Sequence, residues 1–258
     1  KFRERPEPRP ATAALLAACT LAIAAAALRA PTAASARRLH TPLARAAHAA
    51  PLHAPRLATA VMSEGSSAVL LSTCAEACGE LSELVAAIYG LVSADGSAAT
   101  LKQDKSVFTL ADGLVQALLR RLLAPHVASI VGEEDESEIS VDRPPFRAGE
   151  LIAPAELEAL VLRTRDRVDA LSGQLAGGAF ADLTPFIDPI DGTREFASRK
   201  GEQCTICIGF ATPTGAAHAG IVYRPLTSPP TFALGCAAEG VARSSLGGGG
   251  GGAPRTHT

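Results

Sequence analysis

The chain has 258 residues, enough for one large domain or two small ones, and a formal net charge of −2. Its hydrophobic fraction of 47% leans on alanine, aromatics are 4% and Trp is absent, so any core is built from small aliphatic side chains. No basic-aromatic stripe appears, which argues against nucleic acid as a partner, and six cysteines in a chain this long do not make a disulfide scaffold.

The first stretch, Lys1 to Pro10, is charged and proline-rich and does not begin with Met, which reads as an incomplete or processed start. Ala13 to Leu28 is an uncharged Ala/Leu run after basic residues, followed by Ala34-Ser35-Ala36. That is the order of a signal peptide; a membrane anchor is the alternative, but the run is short and weakly hydrophobic. Arg37 to Val61 carries Arg37, Arg38, Arg45 and Arg56, and no acidic residue follows until Glu64. Basic, acid-free, alanine-rich sequence reads as a transit peptide, and a signal followed by a transit segment is the route to a plastid bounded by extra membranes. A plain disordered Ala/Pro leader is the competing reading. Residues 1–61 are therefore expected to be a disordered leader to a plastid or other organelle, whereas translation from Met62 would produce a cytoplasmic protein.

The expected domain spans residues 62–243. Val69, Leu70, Cys74, Leu81, Leu84, Val85 and Ile88 recur at helical spacing and predict a helix over Ser67 to Val92. Cys74 and Cys78 fall on one face of it as small core residues, since two cysteines alone do not complete a zinc site. After a turn-rich link around Asp95-Gly96, a short strand is expected at Ser106 to Phe108 and a second helix at Leu110 to Leu123. Thr109 and Asp112 would be the N-cap and N3 residues of that helix. Ala128 to Val131 reads as a strand ending at Gly132, where the acidic run Glu133-Glu134-Asp135-Glu136 begins. Ser137 to Pro145 is irregular, and Ala153 to Leu175 is a helix with Pro154 in its first turn. Cys204 to Phe210 and Ala216 to Tyr223 form a hairpin around Pro213-Thr214-Gly215, with another short pair at Thr231 to Leu234 and Gly240 to Arg243. Residues 244–258, with their glycine run, read as a disordered tail.

Between the long helix and the hairpin lies the stretch on which the chemistry turns, Phe186-Ile187-Asp188-Pro189-Ile190-Asp191-Gly192-Thr193. Pro189 fixes its own φ and biases Asp188 to an extended conformation, so a strand ending here delivers Asp188 and Asp191 to one side of a tight turn. Two hard carboxylate oxygens with a backbone carbonyl between them suit Mg²⁺ rather than zinc. No histidine in the domain pairs with another at a ligand spacing, so a metal site must be oxygen-based. Gly192 lets the backbone approach a ligand, and the N–H groups after it suit a phosphate. On its own the pair would also make an ordinary surface turn. Cys204 and Cys207 point to opposite faces of a strand and make a poor chelate and a poor disulfide.

This stretch resembles the metal motif of the inositol monophosphatase superfamily, the lithium-sensitive Mg²⁺-dependent phosphatases. Two upstream pieces match in order: Ser106-Val107-Phe108-Thr109-Leu110-Ala111-Asp112 and Ile130-Val131-Gly132-Glu133-Glu134-Asp135. The resemblance covers roughly Ser67 to Val241. It implies an α+β fold, the N-terminal half of a layered αβαβα sandwich, with an antiparallel sheet and two long helices. It further implies that Glu133, Asp188 and the Ile190 carbonyl hold one Mg²⁺, and that Asp188 and Asp191 share a second. Asp191, Gly192 and Thr193 would meet the substrate. Asp112 and Thr193 would be the catalytic pair, the Thr hydroxyl positioning water and Asp112 taking its proton; an N-terminal cap is the structural alternative for Asp112. The substrate class is a small phosphate ester, without nucleic acid or stable membrane association, and a homodimer is left open.

Thr193-Arg194-Glu195-Phe196 with Arg199-Lys200-Gly201-Glu202 is similar to the 3'(2'),5'-bisphosphate nucleotidase branch, which acts on 3'-phosphoadenosine 5'-phosphate. Inositol polyphosphate 1-phosphatase, inositol monophosphatase and a non-catalytic metal-binding remnant are the alternatives. Family members carry a Trp-Asp motif in a second half; here Trp is absent and only Glu195, Glu202 and Glu239 supply acids after Asp191. The expectation is that this C-terminal half is absent and turnover by the chain as given is weak.

Overall fold

A computed structural model describes residues 66–92, 98–133, 139–149, 151–175, 178, 180–237 and 240–245. The expected leader, the Asp95-Gly96 link, the acids Glu134 to Glu138 and the glycine run lie outside these residues. Helix α1 spans Ser67–Tyr89, and the Ser66 side chain caps it by accepting from the Val69 N–H at 3.4 Å. Its apolar residues are buried as their spacing requires, Cys74 and Cys78 among them.

The second helix departs from the expectation. Helix α2 is one continuous element, Ala98–Leu123, so Ser106 to Phe108 are helical rather than a strand. Thr109 is interior to it and caps nothing. The reason lies in the buried set Val107, Leu110, Ala111, Leu114, Val115, Leu118 and Leu122, which holds helical spacing straight through the expected boundary. Asp112 is accordingly a mid-helix carboxylate, buried to 3% exposure, and the capping explanation for it is removed.

Strand β1 (Val131–Gly132) and the small hairpin β2 (Arg147–Ala148) and β3 (Leu151–Ile152) follow, then helix α3 (Ala155–Ser172), with Pro154 at its N-cap. Two acids, Glu156 and Glu158, sit in the first turn of α3, where the helix dipole favours them. Helix α3 packs across α1 and α2, held by Arg121 to Asp169 and Arg167 to Glu80. A buried bond joins the same layers: Ser172 Oγ donates to the Leu122 carbonyl at 2.8 Å and lies 3.1 Å from His126 Nε2.

The remaining strands are β4 (Thr184–Asp191), β5 (Thr205–Ala211), β6 (Ala217–Arg224), β7 (Thr231–Cys236) and β8 (Gly240–Ser245). A five-residue helix, α4 (Thr193–Ala197), and a 3₁₀ turn at Gly201–Gln203 connect β4 to β5. The six-stranded sheet runs β1-β4-β5-β6-β7-β8, antiparallel throughout except that β1 lies parallel to β4. Strand β8 pairs through Ser244 and Ser245, two residues past the expected start of the tail. The α+β class with an antiparallel sheet and long helices is the one expected, with α3 as a third long helix and β1 as a parallel edge.

Helices α1 and α2 cover one face of this sheet. Ile187, Ile206, Ile208, Phe210, Ile221, Tyr223 and Leu234 point into that core. Alternate residues point the other way: Phe186 and Cys207 are buried yet outside the core cluster, and Gly209, Gly220 and Gly235 pair across three strands on that second face. Among the described residues no helix is long and apolar enough to cross a membrane.

Candidate active site

Strand β4 carries the two aspartates on one face by a device that the sequence reading does not contain. Asp188 pairs with Cys207, and Asp191 pairs with Thr205, so three steps on β4 match two on β5. In a regular strand, residues three apart point to opposite faces. The extra residue is a β-bulge, and it turns Asp191 back to the face of Asp188. Pro189 explains where the bulge falls, since it has no N–H to give to the ladder. The expected tight turn is therefore a bulged strand that continues through Asp191.

Glu133 joins this face through the parallel pairing of β1. Val131 pairs with Phe186 and Gly132 with Ile187, and the Glu133 N–H donates to the Ile187 carbonyl at 3.1 Å, which sets Glu133 beside Asp188. The electrostatics agree. Burial first, with the charges of Asp188, Asp191 and Glu133 and against a lowering hydrogen bond from Thr205, pushes the Cys207 thiol up to about 12. All three carboxylates thus bear on one cross-strand neighbour. Asp191 and Glu133 are exposed and Asp188 is half-buried.

The donor set fits a hard cation. Three carboxylates and a backbone carbonyl are hard oxygen donors, the kind that Mg²⁺ takes. As they stand, no three Asp, Glu, His or Cys side chains among the described residues are gathered closely enough to hold an ion.

At the end of β4 the chain turns sharply. Gly192 has φ of 101°, and the Phe196 N–H returns to its carbonyl at 2.9 Å, which starts α4 with Thr193 exposed at its first position. Cys204 closes the base of this turn, with its thiol donating to the Gly192 carbonyl at 3.4 Å. Burial pushes the Cys204 thiol up to about 12, with Glu195, Asp191, Glu202 and Asp112 adding to it in that order. Asp112 therefore belongs to the same corner of the molecule as Asp191, reached from the core side by α2.

Helix α4 is held from below by residues the sequence reading passed over. Phe196 is fully buried between Tyr89, at 5.0 Å between ring centroids, and Phe108, at 5.7 Å, both edge to face. The Tyr89 hydroxyl accepts from the Gly201 N–H at 3.0 Å. Arg199 stands 5.8 Å above the Tyr89 ring while donating to the Val92 carbonyl at 2.6 Å. A side chain on Gly201 would meet Tyr89 Cζ at 2.8 Å, so the contact is close packed. The end of α1 thus fixes the connection that carries Gly192 and Thr193.

A second overlooked feature runs along α2. Ser106, Thr109, Asp112, Gln116 and Arg120 recur at helical spacing and make a polar stripe among buried apolar neighbours, with Asp112 and Gln116 each 3% exposed. The spacing is visible in the sequence, with Gln116 one helical turn beyond Asp112 inside the expected helix, while the supposed helix start left Ser106 and Thr109 off the stripe.

The model of the inositol monophosphatase family matches residues 68–245. Among solved structures, one match is the crystal structure of CysQ from Bacteroides thetaiotaomicron, described as a bacterial member of the inositol monophosphatase family. It is 17% identical, with a TM-score of 0.26, over 54% of this chain and 48% of that one. The chain therefore spans about half the length of the solved relative it matches. No curated protein matches the chain.

Proposed function

The chain belongs to the inositol monophosphatase family, and on that premise we propose that it serves a Mg²⁺-dependent phosphomonoesterase acting on 3'-phosphoadenosine 5'-phosphate. The observation that carries the proposal is the bulge at Pro189, which sets Asp188 and Asp191 on one face beside Glu133. In this reading Glu133, Asp188, Asp191 and the Ile190 carbonyl hold the metal. Bound there, Mg²⁺ supplies an acidified water and charge neutralisation at the phosphoryl oxygens.

The protein's own residues divide the remaining work. Thr193, at the open start of α4, orients the attacking water with its hydroxyl. Asp112, fixed in mid-helix and buried, takes the proton that the water gives up, since a carboxylate there has one defined position. Gly192 and Thr193 present backbone N–H groups to the phosphoryl oxygens, and no Cβ at Gly192 obstructs them. Arg194 and Lys200, both exposed beside this turn, supply cations for a substrate with a second phosphate. The support for the nucleotide substrate narrows to Arg194, Glu195 and Lys200, because full burial accounts for Phe196 without any ligand.

The test is calorimetric titration of the full chain with 3'-phosphoadenosine 5'-phosphate and with inositol 1,4-bisphosphate, in Mg²⁺ and in EDTA. Tighter, Mg²⁺-dependent binding of the nucleotide is expected. Preference for the inositol ester would move the assignment to the polyphosphate 1-phosphatase branch, and binding indifferent to EDTA would remove the metal from the reading.

A further inference from the structure

Strand β1 is only two residues long, yet it must hold Glu133 beside Asp188. Its hydrogen bonds fix its position within the sheet but not its height above the core. Below it lies Gln116. A Cβ built on Gly132 would fall 2.5 Å from Gln116 Cδ and 2.8 Å from Nε2, so the carboxamide occupies the space that any other residue would need at that position. Gln116 is buried, and it stands one helical turn from Asp112 on the same face of α2.

We propose that Gln116 is a positioning residue for the metal ligand Glu133, a strut from α2 whose end fits the notch at Gly132 and sets the height of β1. The same helix face carries Asp112, so one rigid element holds both the proton acceptor and the support of a ligand. Displacement of α2 moves the two together. This rests on the metal-binding reading of Glu133, Asp188 and Asp191 given above. A supporting residue of this kind acts through the ligand's position, so its loss lowers metal affinity without removing a donor.

The experiment uses the full chain and Mn²⁺ alone, with free ion counted by electron paramagnetic resonance and melting temperature measured on the same samples. Glu133→Gln is expected to weaken Mn²⁺ binding at least tenfold. Gln116→Ala, which empties the notch, is expected to weaken it about tenfold. Gln116→Met, which restores the reach of the side chain, is expected to return affinity to within about threefold of the parent. If Gln116→Ala does not fold, Gln116→Leu carries the same comparison, because it fills the core without reaching the notch. Unchanged affinity in the Gln116 variants beside a weakened Glu133→Gln overturns the strut alone, whatever happens to the melting temperature. Absence of Mn²⁺ binding by the parent, or indifference to Glu133→Gln, overturns the metal reading and the strut with it.

Discussion

Tyr89→Phe tests how the turn bearing Gly192 and Thr193 is fixed, because it removes one atom from the joint between α1 and α4. The ring keeps its place against Phe196, 5.0 Å away, and beneath the Arg199 guanidinium at 5.8 Å. What disappears is the hydroxyl that accepts from the Gly201 N–H at 3.0 Å. Gly201 is buried, and a side chain there would lie 2.5 Å from Leu226 Cδ1, so water has little room to replace the lost acceptor. An unsatisfied buried donor costs about 1–3 kcal/mol. Tyr89 itself is only half-buried, which places the expected loss at the lower end, about 1–2 kcal/mol. With a urea slope of about 2 kcal/mol per molar, within the usual range of about 1–3, the unfolding midpoint should fall by roughly half to one molar, with the slope unchanged. Tyr89→Ala should fall further, since it also forfeits edge-to-face and cation–π contacts of about 0.5–1.5 kcal/mol each. Urea unfolding followed by circular dichroism, with amide exchange at Gly201, reads both effects. A Tyr89→Phe midpoint within about 0.1 molar of the parent, with Gly201 still protected, would show that this hydroxyl does not fasten the turn.

Four other outcomes are expected. Asp188→Asn, which removes charge from the carboxylate between Glu133 and Asp191, should lower Mn²⁺ affinity more than tenfold and abolish any Mg²⁺-dependent phosphate release; retention of over about a tenth of either contradicts a shared ligand. Gly192→Ala should destabilise by about 1–3 kcal/mol in urea, because φ of 101° strains any L residue and the new Cβ would lie 3.4 Å from Cys204; an unchanged midpoint would contradict that geometry. Burial raises the thiols of Cys74 and Cys207 from 9.0 to about 12, so unfolded thiols ionise first as pH rises. Their contribution to stability is complete below pH 9.0 and declines from there towards about 12, which a fall in the urea midpoint between pH 8 and pH 10 would register. Native thiols should also resist Ellman's reagent at pH 8 until urea unfolds the chain.

What the sequence made legible was periodic. The buried spacing of α1, the hairpin at Gly215 with its φ of 79°, and the order of the strands from β4 to β8 follow from local pattern and turn chemistry. The start of α2 failed because Thr109 and Asp112 imitate a cap, while the apolar spacing through Val107 and Leu110 continues the helix past them. Within the candidate site, the nearness of Asp188 to Asp191 was legible, but its cause was not. A bulge depends on which β5 residue faces which β4 residue, and that register is non-local. The contact of Gln116 with Gly132 was illegible for the same reason, since Gly132 comes from another element.

These failures cluster in space. Pro189 interrupts a central strand, Gly192 takes a left-handed conformation, Asp112 and Gln116 are buried in a helix face, and Gly132 packs directly on the Gln116 carboxamide. Gly132 and Gln116 meet where β1 packs on α2, and Gly192 packs on Cys204, whose thiol feels the charges of Asp191 and Asp112. Each departs from what local packing would choose, and their concentration argues for a site under chemical demand. Phe196 gives the contrast that makes the argument selective. It lies inside the most distinctive motif of the chain, yet its full burial between Tyr89 and Phe108 is what an aromatic residue achieves in any core. Membership of a motif therefore does not mark a residue as functional; a departure from what local packing would choose is the better guide. By that measure Asp112, Gln116, Asp188 and Gly192 are the positions to test first, and Phe196 holds the corner in place.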